Sequence, residues 1–204
     1  MIYSDVDRQK TAFIFELDNV VYPEKDYLFQ VYYLFASAIE YTDLLDAKTT
    51  TDLMVNTYIN EGKDVVFDRV KEKLGVDEKY RKNFDNLLLT VKLPLKLLIY
   101  KKVLELMQEI VVDRKKLFIV TNGEPQQQLN KIRQIEWNGL EQYLVCYFTS
   151  ESKPKPDTDA IELLLKDHNL NRRDLLMIGS SVTDELCAQN AGVDYYDVSA
   201  ILEH

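Results

Sequence analysis

Two carboxylates stand one residue apart in F-I-F-E-L-D-N-V-V-Y-P (13–23), where an apolar run ends at Glu16 and Asp18. Burying a charge costs several kcal/mol unless it is paired, hydrogen-bonded or bound to a metal, so two acids at a core edge call for a cation or a hydrogen-bond network. Such acids can hold a divalent ion, attack phosphorus or protonate a leaving oxygen. Three further sets of polar residues have matching chemistry: Thr121-Asn122-Gly123, Lys153 in K-P-K-P, and Asp184 in G-S-S-V-T-D. Thr and Lys hold phosphate oxygens, and Asp184 is a further acid. Each has a plain structural reading, Asp18 as a helix cap, Thr121-Asn122-Gly123 as a turn and Lys153 as a solvated lysine. Their common placement after successive apolar runs favours a shared site.

Those runs are 11–17, 116–121, 145–150 and 175–180, with a weaker one at 195–198. Their length and composition suit buried strands, and helical patterns near 126–136, 158–168 and 184–191 separate the later ones. Strand alternating with helix predicts parallel pairing in an open α/β sheet. Ligands of such sheets bind at the carboxyl edge, where all four polar sets fall. Between the first and second strands only helical spacing is visible, through Tyr27, Leu28, Val31, Tyr32 and Phe35, then Val66, Val70 and Leu74, then Leu97, Leu98, Tyr100, Val103, Leu104 and Met107. A crossover of that length predicts an inserted helical subdomain, placed to act as a lid. Its aromatics Tyr27, Tyr32, Tyr33, Phe35 and Tyr58 are read as core packing. The expected division is 1–23 plus 114–201 for the α/β core, 24–113 for the helical cap, and 202–204 as a tag remnant, which removes His204 from consideration.

The net charge of −9 argues against general nucleic-acid or membrane-surface binding, both of which need basic patches. A hydrophobic fraction of 46% is enough for a sizeable core, and no apolar run approaches the length of a membrane span. The polar first residues do not read as a signal peptide, and only Cys146 and Cys187 are present, so a cytoplasmic, reducing location is expected. His168 is read as a residue at the negative end of a helix rather than a catalyst.

The chain resembles the haloacid dehalogenase-like superfamily, whose members are mostly magnesium-dependent phosphatases. The motifs are Glu16-Leu17-Asp18, F-I-V-T-N-G (118–123), Lys153-Pro154-Lys155-Pro156, and Gly179 to Asp184 followed by Ala188-Gln189-Asn190-Ala191-Gly192. Asn19-x-x-Tyr22-Pro23 and the T-N-G-x4-Q-x2-K pattern beginning at Thr121 are similar to the subgroup that includes pyrimidine 5′-nucleotidases. The resemblance implies a Rossmann-like parallel sheet with a helical cap. It gives the first acid, Glu16, the attack on phosphorus and Asp18 the leaving-group proton. Thr121, Asn122 and Lys153 would bind the phosphoryl group, and magnesium would be held by Glu16, the Asp18 carbonyl and Asp184.

Two positions depart from the family pattern, with Glu16 in place of Asp and Ser180 in place of an acid. The extra methylene of Glu16 adds about 1.5 Å, where attack needs roughly 3–3.5 Å and a misplacement of about 1 Å costs on the order of a hundredfold. Ser180 removes an anionic ligand and weakens the expected magnesium site. The expected function is a magnesium-dependent phosphatase of a small phosphorylated metabolite, with a nucleotide as one candidate and with impaired or altered catalysis. The alternative is a degenerate member that binds a phosphorylated ligand or a protein without turnover. A true dehalogenase, which needs no magnesium and can carry Ser-Ser in the fourth motif, is weighed third, because those enzymes attack with Asp and lack the second acid.

Overall fold

A computed structural model describes residues 9–203. His204 and the first eight residues, on which the tag and leader readings partly rest, lie outside it. The described residues divide into two compact units, 9–24 with 97–203, and 25–96.

The first unit is built on five parallel strands in the order β5-β3-β1-β6-β7. They are β1 (Ala12–Phe15), β3 (Lys116–Thr121), β5 (Leu144–Phe148), β6 (Leu175–Gly179) and β7 (Asp194–Asp197). All five were visible in the sequence as apolar or β-rich runs. The side chains of β1 and β6 are buried throughout, which is why these strands read as continuous apolar stretches rather than alternating ones. One sheet face is filled by Ala12, Ile14, Phe118, Val120 and Met177 against Ile161, Leu164 and Ala188. Those last three belong to α7 (Asp159–His168) and α8 (Val182–Ala191). From β1 the chain builds outward to β3 and β5 on one side, then to β6 and β7 on the other. The crevice at the carboxyl end of β1 therefore lies where the winding reverses.

The unit 25–96 is helical, formed by most of α1 (Glu24–Asp43), with α2 (Ala47–Glu61), α3 (Val66–Leu74) and α4 (Arg81–Thr90). Its core is aromatic: Phe35, Phe67 and Phe84 lie 5.1–6.0 Å apart by ring centroids, with Tyr32 stacked on Phe84 at 6.1 Å. Tyr27, Tyr32 and Phe35 are buried as expected, but Tyr33 is 55% exposed. A helix turns about 100° per residue, so Tyr32 and Tyr33 cannot share its inner face.

The sequence boundary at residue 113 differs from the observed one. Leu97–Leu98 form a short parallel strand, β2, paired with β4 (Ile135–Glu136), and Leu98 is 59% exposed. The apolar spacing from 97 to 107 is thus not one helix face. The Tyr100 N–H donates to the Val21 carbonyl at 2.9 Å, and α5 (Lys101–Val112) starts only after it. This helix buries Val103, Leu106, Met107 and Ile110 within the α/β unit, beside β3 and α9 (Ser199–Leu202). Among the described residues no helix is long and apolar enough to cross a membrane.

Candidate active site

The chain leaves β1 through a tight turn. Asn19 adopts a left-handed φ of 62°, which Asn tolerates better than most residues. Its N–H donates to the Tyr22 carbonyl at 2.9 Å, and its side-chain oxygen accepts from the Glu24 N–H at 3.0 Å where α1 begins. Glu16 is fixed to the neighbouring strand by its N–H, which donates to the Ile178 carbonyl at 3.0 Å. Two networks form at this edge, one around each acid.

The first joins Glu16, Thr121, Lys155 and Asp184, all buried. The Thr121 hydroxyl, at the end of β3, donates to Glu16 Oε1 at 2.6 Å. Lys155 Nζ donates to Glu16 Oε2, to Asp184 Oδ1 at 2.5 Å and to the Val120 carbonyl at 3.2 Å. An ammonium has three N–H groups, so all three have partners. Burial pulls Lys155 down from the ordinary lysine value, against the raising influence of Asp184. Asp184 doubles as the N3 residue of a capping box on α8: its Oδ2 accepts from the Ser181 hydroxyl at 2.8 Å and from the Ser181 and Ser180 N–H groups at 3.1 and 3.2 Å. Burial would raise its carboxyl, but Lys155 and these donors outweigh that and hold it low. Gly179 is needed beneath it, because a Cβ there would lie 2.5 Å from the Asp184 Cβ.

Lys153 is not brought to this cluster. Its side chain is 67% exposed and faces Asp157 and Asp159 at 3.7 and 3.9 Å, whereas the Lys155 side chain is 2% exposed. Each lysine precedes a proline, and local sequence does not separate them. Asn122 does: its Oδ1 accepts from the Lys155 N–H at 2.9 Å and from the Thr149 hydroxyl at 2.6 Å, and its Nδ2 donates to the Lys155 carbonyl at 3.2 Å. A 3-10 turn at Thr149–Glu151 carries the chain out from β5, and Asn122 grips it as it returns. The Asn122 side chain, expected on phosphate, is engaged in this bracket.

The second network surrounds Asp18. Lys131 Nζ, on α6 (Pro125–Gln134), donates to Asp18 Oδ2 at 2.6 Å and lies 3.9 Å from Glu24. The Tyr22 hydroxyl donates to Oδ1 at 2.6 Å and Gln128 Nε2 to Oδ2 at 3.2 Å. Burial raises this carboxyl, but the Lys131 charge and these hydrogen bonds outweigh it and hold it below its ordinary value. Asn19, Tyr22, Gln128 and Lys131 are the residues of the two subgroup patterns, yet the patterns alone assigned them no role. In the structure Tyr22, Gln128 and Lys131 hold Asp18, and Asn19 makes the turn that follows it. Burial pushes the thiols of both Cys146 and Cys187 up to about 11.

A magnesium ion does not fit this donor set as it is arranged. Both oxygens of Glu16 and both of Asp184 already accept hydrogen bonds, and a lysine ammonium occupies the place between the two carboxylates. Ser180 adds no charge, and among the described residues no group of three or more His, Cys, Asp or Glu side chains is placed to hold a metal. Magnesium demands near-octahedral oxygen ligation and gives up its waters reluctantly.

A family model described as haloacid dehalogenase-like hydrolase matches residues 13–198. A phosphoglycolate phosphatase of Vibrio vulnificus is 28% identical over 153 residues, which span 70% of this chain and 65% of that protein. The match thus spans less than two thirds of that curated relative. Among solved structures, a haloacid dehalogenase-like family hydrolase of Streptococcus pneumoniae superposes with a TM-score of 0.56 at 18% identity, covering 96% of this chain and 90% of that one. The L-2-haloacid dehalogenase of Xanthobacter autotrophicus gives 0.52 at 16% identity, over 91% and 76%. At these identities the structural likenesses speak for the fold, and the family match spans nearly the whole chain: the protein belongs to the haloacid dehalogenase-like hydrolase family.

Proposed function

We propose that this protein is a phosphatase of a small phosphorylated metabolite, with catalysis altered from the usual family pattern. The observation that carries the reading is the meeting of Glu16 after β1, Thr121 at the end of β3 and Lys155 from the loop after β5, within hydrogen-bonding distance at the carboxyl edge of the sheet. A carboxylate, a hydroxyl and a buried ammonium are the groups that phosphoryl transfer needs at one point. The phosphatase name of the Vibrio relative supports the phosphoester class, and the Asn19, Tyr22, Gln128 and Lys131 pattern keeps a nucleotide among the candidate substrates.

In this reading a Glu16 oxygen attacks phosphorus, the bond from phosphorus to the leaving oxygen breaks, and water later cleaves the acyl phosphate. Thr121 and Lys155 steady the transferring group. Asp18 handles the leaving-group proton, and its grip by Lys131 slows that step because an ionised carboxylate has no proton to give. The unit 25–96, inserted between β1 and β3, would select the substrate as a cap. Magnesium would have only a minor influence on turnover, in keeping with its poor fit.

Phosphate release from a panel of phosphorylated metabolites tests the proposal. Turnover by the wild type that Asp18→Asn abolishes supports it, and Glu16→Asp should then change kcat more than KM. A second reading, ligand binding without turnover, is favoured by the engagement of both Glu16 oxygens and the ionised state of Asp18. Saturable binding of a phosphorylated metabolite with no release, in a folded wild type, would establish that reading instead.

A further inference from the structure

We infer that the positive charge serving this site is the Lys155 ammonium, and that phosphate binds here without a divalent cation. The inference deepens the phosphoester reading and rests on it for the ligand, but not for the metal. The physical case has three parts. The ammonium sits between Glu16 and Asp184, the two acids a cation would bridge, and each of its three N–H groups has an acceptor. A metal entering between them would displace Lys155 from its partners and leave a 2%-exposed cation without compensation, the costly way to break a buried pair.

Position 180 provides the second part. The end of β6 presents N–H donors from Ser180 and Ser181 to Asp184, rather than another anion to a metal. Third, Asp184 cannot readily swing out to offer a lone pair. Three donors hold its Oδ2 in the capping box, and its Cβ rests over Gly179 where no other residue would fit. An oxyanion would have to displace only one of the three acceptors, and that one is uncharged. It competes for Lys155 with the Val120 carbonyl, the longest of the three contacts.

The experiment titrates inorganic phosphate into the full chain by calorimetry, in excess EDTA and again in excess magnesium. Manganese binding is followed in parallel by electron paramagnetic resonance. Phosphate affinity should be the same in both buffers and be lost in Lys155→Met. Wild-type protein should leave the free manganese signal undiminished, whereas Ser180→Asp should gain divalent affinity by about tenfold or more, as added ligand charge does in such sites. Manganese bound by the wild type and released by Glu16→Gln overturns the inference, whether or not Ser180→Asp folds. So does phosphate binding that requires magnesium. If phosphate binds in neither buffer while the wild type also ignores manganese, the ligand half of the inference fails together with the phosphoester reading, and the metal half stands.

Discussion

Both units of this protein carry ion pairs on their surfaces, but the α/β unit also buries two charged clusters. In the α/β unit, Lys131 and Lys155 are buried and bonded to the acids at the strand edge. In the helical unit the ion pairs are on the surface: Arg81 with Asp68 and Glu78, Arg69 with Glu61 and Glu72, and Lys71 with Glu78. Hydrogen bonds from Arg81 and then Lys71 hold Glu78 down at about 2, yet water and salt screen such exposed pairs and leave them little net worth. A buried pair is not a cheap source of stability either, because desolvation offsets most of its attraction. What burial changes is the consequence of breaking it. A surface partner left alone is rehydrated; a buried one is stranded.

The largest effect should follow removal of Lys155. Lys155→Met strands two carboxylates and should lower unfolding stability by about 3–5 kcal/mol, measured by urea denaturation. A loss below about 1 kcal/mol would place Lys155 with the surface pairs and dissolve the contrast. Next comes Lys131→Met, at about 3 kcal/mol near neutral pH, since Tyr22 and Gln128 still hold Asp18.

Its pH dependence sharpens the point. The folded-state Asp18 carboxyl lies below the ordinary value of 3.8, so the ionised form contributes stability that is fully present above the unfolded value. That contribution is lost as pH falls through the folded value. The wild type should therefore lose this contribution only in acid below 3.8, and its gap to Lys131→Met should persist at neutral pH and narrow as pH falls. A gap that stays constant into strong acid would show that Lys131 acts through packing alone.

Smaller effects belong to exposed charges. Arg81→Ala should cost no more than about 1 kcal/mol, including its contact with the Phe67 ring at 4.4 Å, and the ionic part should shrink in high salt. Lys153→Met should leave both melting temperature and phosphate binding unchanged. Although Lys153 lies two residues from Lys155, it should behave like a residue of the other unit.

Much of the architecture was legible because burial on both faces of a parallel sheet leaves continuous apolar runs, and the polar residues ending them announce the ligand edge. The helical insert was legible through its 3.6-residue spacing. Its far boundary was not, because Leu97 and Leu98 fit a helix face by periodicity while their backbone pairs with 135–136. Gln128 and Lys131 showed a comparable gap. They stood in a recognisable pattern, but nothing local said that their helix would bring them to a carboxylate more than a hundred residues earlier.

The motifs carried the resemblance to the family, while the sequence by itself determined the order of the five main strands and the identity of Glu16, Asp18, Thr121 and Asp184 as edge residues. These follow from residue type and period, which are local properties. Only the tertiary structure decided which lysine is bonded to Glu16 and Asp184. Lys153 and Lys155 have the same chemistry and each precedes a proline; the choice depends on where the loop after β5 is held when it returns. Asn122, from a different strand end, makes that choice by bonding both the N–H and the carbonyl of Lys155. The same packing set the charges, because whether an acid needs a metal depends on which cation the fold has already placed beside it.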